Sequence, residues 1–216
     1  MENDRLDGIA EEIREEFEVV NSARDSAYQQ SRALTSICAR TIRAIHREEW
    51  DVTGRLLAEA KAAAQRLIDG TRPYPALYFA GYTQDALKEF VEANLTLALV
   101  RDTPLTSPEE LGVEQNTWLN GLAEAATELR RRILDIIRHG HSKEAERLLS
   151  DMDEIYSVLV TFDFNDSITG GLRRRTDTVR AVLERTRGDV TTSLRQAELE
   201  QALEAMESRI AQQASD

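Results

Sequence analysis

One helical segment of the sequence carries two glutamates in a spacing that suits metal chemistry. Glu89 and Glu92 stand three residues apart, so on a helix their side chains occupy neighbouring positions of one face. At about 100° per residue, Asp85 and Thr96 fall on the same narrow arc, and apolar side chains fill most of the remaining surface. Carboxylate oxygens are the hard ligands that Mg²⁺ prefers. The spacing therefore predicts either a divalent-cation site or the solvated face of an ordinary amphipathic helix.

Motifs for other common chemistries are absent from the sequence. It contains no P-loop, no dinucleotide-binding fingerprint, no His-Glu-x-x-His pair and no nucleophile elbow. The single Cys38 excludes an intrachain disulfide framework and a cysteine-based zinc cluster. Cys38 lies in a helical pattern and is expected to be a small core residue. A reaction on this chain would therefore be carried by carboxylates with a metal ion.

Further carboxylates could join Glu89 and Glu92 in space. Glu124 and Glu128 form an i,i+4 pair on a later predicted helix, and a third acidic group follows on the helix after that one. The members of this third group are Asp151, Asp153 and Glu154.

The composition is that of a helical protein. The 216 residues include only 10 Gly and 4 Pro, and the frequent Ala, Leu, Glu and Arg are strong helix formers. The net charge of −12 argues against a generally basic nucleic-acid surface. The N-terminus has no basic and apolar leader, and no apolar run approaches the roughly 18 residues of a membrane span. We expect a cytoplasmic protein with no membrane association.

The helical period continues along most of the sequence, and breaks in it predict about seven long helices. No β-strand alternation of any length competes, so we expect an all-α, single-domain bundle spanning residues 1–216. Asp51 is predicted to cap the second helix, Gly70 to end it, and Ser142 to cap the fifth. The predicted helices cover residues 5–47, 51–69, 76–101, 114–139, 143–161, 172–187 and 190–212.

Arginines cluster at the end of the first predicted helix. Arg40, Arg43 and Arg47 span most of two turns. Such a cluster forms either a solvated, ion-paired face or a set of contacts to nucleic-acid phosphates.

Several segments resemble the translin superfamily, specifically its translin-associated factor X (TRAX) branch, which includes archaeal TRAX-like proteins. Residues Lys88-Glu89-Phe90-Val91-Glu92-Ala93 are similar to the Gln-Glu-Tyr-Val-Glu-Ala element of that branch. Residues Gly121-Leu122-Ala123 are similar to its Gly-Val-Ala segment. The resemblance runs over most of the chain, through segments 39–47, 88–93, 121–130 and 171–189.

This resemblance implies a fold and an activity. It implies a seven-helix protein that assembles into a hollow, barrel-like homo-oligomer, an octamer or a hexamer, around single-stranded RNA or single-stranded DNA. It implies a Mg²⁺-dependent endoribonuclease, with Mn²⁺ as a substitute, in which Glu89 and Glu92 are catalytic metal ligands. Aligning neighbouring aromatic residues places a third catalytic acid at Glu154, with Asp153 as the alternative. Arg40, Arg43 and Arg47 would bind the nucleic acid.

Two other functions remain open at the level of sequence. The chain could be a translin-like protein that binds single-stranded RNA or DNA without cutting it, or a purely structural helical oligomer. In each case we expect a homo-oligomer, because the long helices carry more apolar positions than one thin layer can cover. The last helix offers a candidate contact through Leu194, Leu199, Leu203, Met206 and Ile210.

Overall fold

The computed structural model describes residues 2–140 and 142–213, with side chains from residue 5 onward. Every regular element in these ranges is a helix, which confirms the all-α fold class. The helices are α1 (Glu2–His46), α2 (Trp50–Thr71), α3 (Pro75–Tyr78), α4 (Gly81–Arg101), α5 (Pro108–Leu111), α6 (Gln115–Ile137), α7 (Lys143–Leu159), α8 (Asp166–Thr169) and α9 (Leu172–Gln213).

The described chain divides into two compact units, and the predicted single domain over 1–216 stays a prediction. The first unit takes in the chain up to Asn94 together with Pro108–Gly121. The second takes in Leu95–Ser107 and the chain from Leu122 onward. The divisions fall inside α4 and α6, each of which is one continuous helix.

The first unit is built on the packing of α1 along α2. Both helices contribute aliphatic side chains that are removed from solvent, and α4 adds an aromatic ring to the same core. Burial of these apolar surfaces supplies the main favourable free energy for holding the helices together. The largest fully buried side chains here are Leu34, Ile45, Leu67, Leu87 and Phe90.

The second unit is built on the packing of α7 against α9. Ser142 caps α7 as predicted, because its hydroxyl accepts a hydrogen bond from the backbone N–H of Ala145. Arg147 on α7 donates from Nη1 to the carbonyl of Leu99, 3.0 Å away, which satisfies an end carbonyl of α4. The largest fully buried side chains here are Leu95, Leu129, Ile133, Leu148, Met152, Leu159 and Leu172.

The predicted break between the last two helices is wrong. Residues 172–213 form the single helix α9, which passes through Gly188 and Asp189. Thr186 and Val190 on either side of the glycine are buried, and a mid-helix glycine costs only about 1 kcal/mol relative to alanine. Packing of these neighbours offsets that cost, so the helix continues.

Helix boundaries around α2, α3 and α4 also differ from the predicted ones. Helix α2 begins at Trp50 after Glu49, so Asp51 lies in its first turn and is not its cap. Gly70 lies inside α2, which ends at Thr71 with Arg72 as the C-cap. The predicted helix 76–101 is broken after α3, where the side chains of Thr83 and Gln84 bind the carbonyls at the end of α3 in place of continuing helix N–H groups.

No helix among the described residues combines the length and the apolar character needed to cross a membrane.

Candidate metal centre

The acidic stripe of α4, which consists of Asp85, Glu89, Glu92 and Thr96, is solvated only at Asp85. Glu92 is only 7% exposed and Thr96 is fully buried, while Glu89 is partly buried with a side chain 28% exposed. Charged side chains are rarely buried to this degree unless they have partners. The burial therefore argues against the solvated alternative and favours a functional or structural role for these carboxylates.

A lysine from the same helix accompanies Glu89. The ammonium nitrogen Nζ of Lys88 lies 3.0 Å from the carboxylate oxygen Oε1 of Glu89, and Lys88 itself is only 7% exposed. A buried cation beside a partly buried carboxylate lowers the free-energy cost of keeping both groups charged away from bulk water.

Cys38 of α1 faces the same carboxylates. Burial is the largest cause that raises the pKa of the Cys38 thiol to about 12, and the charges of Glu89 and then Glu92 raise it further. The thiol is fully buried, as the sequence predicted. It stays protonated at neutral pH, so it is neither an activated nucleophile nor a ready thiolate ligand.

A glycine contact brings α6 against α4 next to the acidic stripe. A Cβ atom at Gly121 would lie 2.6 Å from Cγ1 of Val91 and 3.0 Å from the backbone carbonyl oxygen of Lys88. Only glycine permits this approach without displacing one of the helices. Because α6 is continuous, Glu124 stands close to one helical turn beyond Gly121.

Glu124 joins Glu89 and Glu92 in one carboxylate group. One ligand oxygen from each of the three residues lies within 4.8 Å of the others, with Glu92 buried and the other two partly buried. Three converging carboxylate oxygens are a hard donor set, which fits Mg²⁺ or Mn²⁺ and does not fit a soft metal such as Cu(I). Small side-chain movements would bring such oxygens to the distances that these ions require.

Two further side chains bear on this group, one through an ion pair and one through its position on the same helix arc. Nε of Arg175 on α9 lies 3.0 Å from Oε1 of Glu124, with both side chains less than a third exposed. The hydroxyl of Thr96, on the α4 arc that carries the glutamates, is buried without a hydrogen-bond partner. A buried hydroxyl left unsatisfied is costly, and a bound water or ligand atom beside it would remove that cost.

The candidate third acids of α7 lie outside this group. Both Glu154 and Asp153 are exposed, and the carboxylate of Asp153 lies 2.6 Å from Nη2 of Arg187 on α9. Asp151, one turn before them, is half-buried, and burial raises the pKa of its carboxyl while the charge of Arg147 lowers it. Among the described residues, only the acids of α4 and α6 converge closely enough to hold one ion together.

The arginine cluster at the end of α1 is on the surface. Arg40, Arg43 and Arg47 are all exposed, and Nη2 of Arg40 lies 3.4 Å from the Glu59 carboxylate of α2. An exposed pair of this length contributes little to stability. The three side chains are therefore accessible to solvent, and their role in binding phosphates stays a prediction.

The chain has relatives of similar sequence and structure, although no protein-family profile matches it. It is 31% identical over 196 residues to an uncharacterised protein of Methanocaldococcus jannaschii, an alignment that covers 89% of this chain and 86% of that protein. The crystal structure of AfC3PO superposes with a TM-score of 0.78 at 31% identity, and AfC3PO in complex with duplex RNA with 0.79 at 32%. Both cover 85% of this chain and 95% of theirs. Apo-NeC3PO, at 22% identity and a TM-score of 0.77 over 85% of this chain and 96% of its own, shows the same fold.

Proposed function

Because the chain belongs to the translin superfamily, as a member of archaeal type, we propose that it is a metal-dependent endoribonuclease acting on single-stranded RNA inside an oligomeric shell. The observation that supports this proposal most directly is the grouping of three carboxylates, from Glu89, Glu92 and Glu124, with ligand oxygens within 4.8 Å of one another. The structure of AfC3PO with duplex RNA supports an RNA substrate, because that protein is 32% identical to this one and shares its fold.

The proposed ligands are the three glutamates, with Mg²⁺ as the natural ion and Mn²⁺ as a substitute. Glu124 is favoured as the third ligand over Glu154 and its alternative Asp153. Both acids of α7 are exposed, and neither belongs to the group whose ligand oxygens lie within 4.8 Å of one another. A bound divalent ion supplies Lewis acidity toward the scissile phosphate and lowers the pKa of a coordinated water.

The chain's own residues would bind and orient the RNA. Arg40, Arg43 and Arg47 would contact backbone phosphates, which positions the strand without reading its sequence. Each contact would release counterions, so affinity would fall as the salt concentration rises. Arg175 would hold the Glu124 carboxylate in place through their 3.0 Å contact.

The second candidate is a translin-like protein that binds single-stranded RNA or DNA and does not cut it. The ion pairs that Glu89 and Glu124 form with Lys88 and Arg175 favour this candidate, because they can satisfy the acids without any metal. The two functions differ in one observable, which is cleavage that depends on a divalent ion.

The decisive experiment compares Glu89→Gln and Glu92→Gln with the parent protein on single-stranded and duplex RNA, in Mg²⁺ and in EDTA. Glutamine keeps the shape of the side chain but removes the charge that a hard cation needs. Each single change should lower the cleavage rate by roughly 100-fold or more, and the double change should cost little more, because residues that act as a unit are non-additive.

Glu184→Gln on α9 is the matched control, because Glu184 is exposed and lies outside the carboxylate group. Binding of Mn²⁺ to the purified variants, followed by electron paramagnetic resonance, reports on the site independently of activity. Parental cleavage rates in both site variants would rule out the nuclease, and RNA binding without any Mg²⁺-dependent cleavage would leave the non-catalytic function.

A further inference from the structure

A cavity of about 390 Å³ that is open to solvent lies in the first unit, between α1 and α4. Two tyrosines, Tyr28 and Tyr82, contribute rings to its wall, and most of the other lining groups are small or carry hydroxyls. Its charged residues are Arg32 and Asp85, whose opposite charges cancel. A wall of this kind suits a flat, neutral group with hydrogen-bonding edges better than a phosphate or an organic cation.

Two of the residues that line this cavity have a buried hydroxyl without a hydrogen-bond partner. Ser31 is only 3% exposed, and neither its Oγ nor the buried Oη of Tyr82 is hydrogen-bonded within the protein. An unsatisfied buried hydroxyl costs about 1–3 kcal/mol. Such groups are rare in folded proteins and call for an explanation, and a ligand that supplies donors and acceptors is one.

The two tyrosine rings contact each other, and one of them is partly open to solvent. Tyr28 and Tyr82 meet edge to face, with centroids 5.8 Å apart and planes at 80°. Tyr28 remains 44% exposed, and the guanidinium of Arg24 lies 5.9 Å from its ring centroid. Stacking of a base on an aromatic side chain tolerates any base, because every base has a π-face.

The cavity lies next to the proposed metal ligands on both of its helices. Asp85 lines the cavity, and Glu89 is four residues further along α4, about one helical turn away. On α1, Thr35 lines the cavity. Cys38, about one turn further, is close enough to Glu89 and Glu92 for their charges to raise the pKa of its thiol.

We propose that this cavity receives one base of the bound RNA, next to the phosphodiester bond that would lie at the proposed metal site of the three glutamates. The inference rests on the proposed function for its RNA ligand. The Tyr28 ring contacts the base, and the hydroxyls of Ser31 and Tyr82 bind its edge after small side-chain movements expose them. The inserted base fixes which phosphate lies at the proposed metal site.

The test is a cycle that combines protein variants with RNA variants. A labelled RNA is prepared as a series in which a single base is removed at each successive position, and affinities are measured by fluorescence anisotropy in EDTA. One position should lose roughly tenfold in affinity when its base is removed, the range expected for one stacked base. The same loss should be absent in Tyr28→Ala, because that variant has already lost the contact.

Phe164→Ala is the matched aromatic control, since Phe164 is 62% exposed and does not line the cavity. If Tyr28→Ala does not fold, Tyr82→Phe and Ser31→Ala serve instead, and each should alter the relative affinities for RNAs that differ in the base at the sensitive position. An equal loss in the parent and in all cavity variants would overturn the proposal. Absence of Mg²⁺-dependent cleavage would instead count against the nuclease, because the affinity cycle needs no cleavage.

Discussion

At the scale of single residues, substitutions can decide whether Glu124 or Glu154 is the third acid of the site. Glu124→Gln should reduce Mg²⁺-dependent cleavage by a factor similar to that of Glu89→Gln, because its oxygen lies within 4.8 Å of those of both other glutamates. Glu154→Gln should leave the rate within about twofold of the parent, since an exposed carboxylate outside the group contributes no ligand. Single-turnover cleavage at saturating protein measures both effects.

The reverse pattern, with Glu154→Gln inactive and Glu124→Gln active, would restore the assignment made from aligned aromatic residues. Glu124 would then have a structural role, because its ion pair with Arg175 helps to join α6 to α9.

Helical spacing placed Glu89 and Glu92 on one face, but the alignment of aromatic residues selected Glu154 as the third acid, whereas the structure groups Glu124 with them. Glu124 appeared only as one half of an i,i+4 pair and was ranked below Glu154 of α7. The missing information was which helix packs against α4, and that depends on the close approach at Gly121. The neighbouring segment 121–123 carried a signal, because a glycine in a helix interior marks either a weak point or a close contact.

At the scale of helices, Gly121 and Gly188 offer a matched pair of substitutions. Gly121→Ala should lower the free energy of unfolding by about 1–3 kcal/mol, because its Cβ would lie 2.6 Å from Val91. Gly188→Ala should raise the free energy of unfolding by about 0.5–1 kcal/mol, because nothing lies within 4 Å of its Cβ and alanine favours the helix. Urea denaturation followed by circular dichroism measures both.

The pair also tests how the site is assembled. Gly121→Ala should weaken Mn²⁺ binding as well as stability, since it separates the helices that carry the glutamates, whereas Gly188→Ala should leave Mn²⁺ binding unchanged. Equal stability of the two variants would contradict the close approach of α6 to α4.

Helix prediction succeeded where periodicity and capping decide the structure, and it failed where tertiary packing or side-chain hydrogen bonds decide it. Long apolar periodicity gave the extent of α1 and α7 closely, and the Ser142 cap was correct. Gly188 was mistaken for a break, because the sequence does not show that buried Thr186 and Val190 hold the helix on both sides. The break before α4 depends on side-chain hydrogen bonds of Thr83 and Gln84, which no periodicity reveals.

At the scale of the whole molecule, the ends of the longest helices carry exposed apolar side chains. On α9, Leu199 is 60% exposed and Ile210 54%, and on α1 Phe17 is 69% exposed. Apolar positions at this spacing on one helix face are typical of surfaces that pack against another subunit. The exposed large apolar residues of these two segments are Leu6, Ile9, Ile13, Phe17, Val19, Leu194, Leu199, Leu203, Met206 and Ile210.

We therefore expect a homo-oligomer, and its subunit number, eight or six, stays a prediction. Leu203→Glu should shift the protein to smaller species, because it places a charge in the apolar face of α9. Gln201→Glu adds the same charge to an exposed neighbouring position and should leave the assembly intact. Light scattering coupled to size-exclusion chromatography measures both, and a parent protein that is monomeric at micromolar concentration would contradict the expectation.

Lys88 gives the acidic centre a tethered counter-ion. It is one of only three lysines in the chain, and its ammonium lies 3.0 Å from Glu89 in a largely buried position. Part of the negative charge is thus balanced without a metal, so we expect the chain to fold without one, unlike zinc-dependent domains. At the proposed site, loading of a divalent ion would then be an exchange reaction, in which the incoming ion takes over Glu89 from a cation that the chain itself carries.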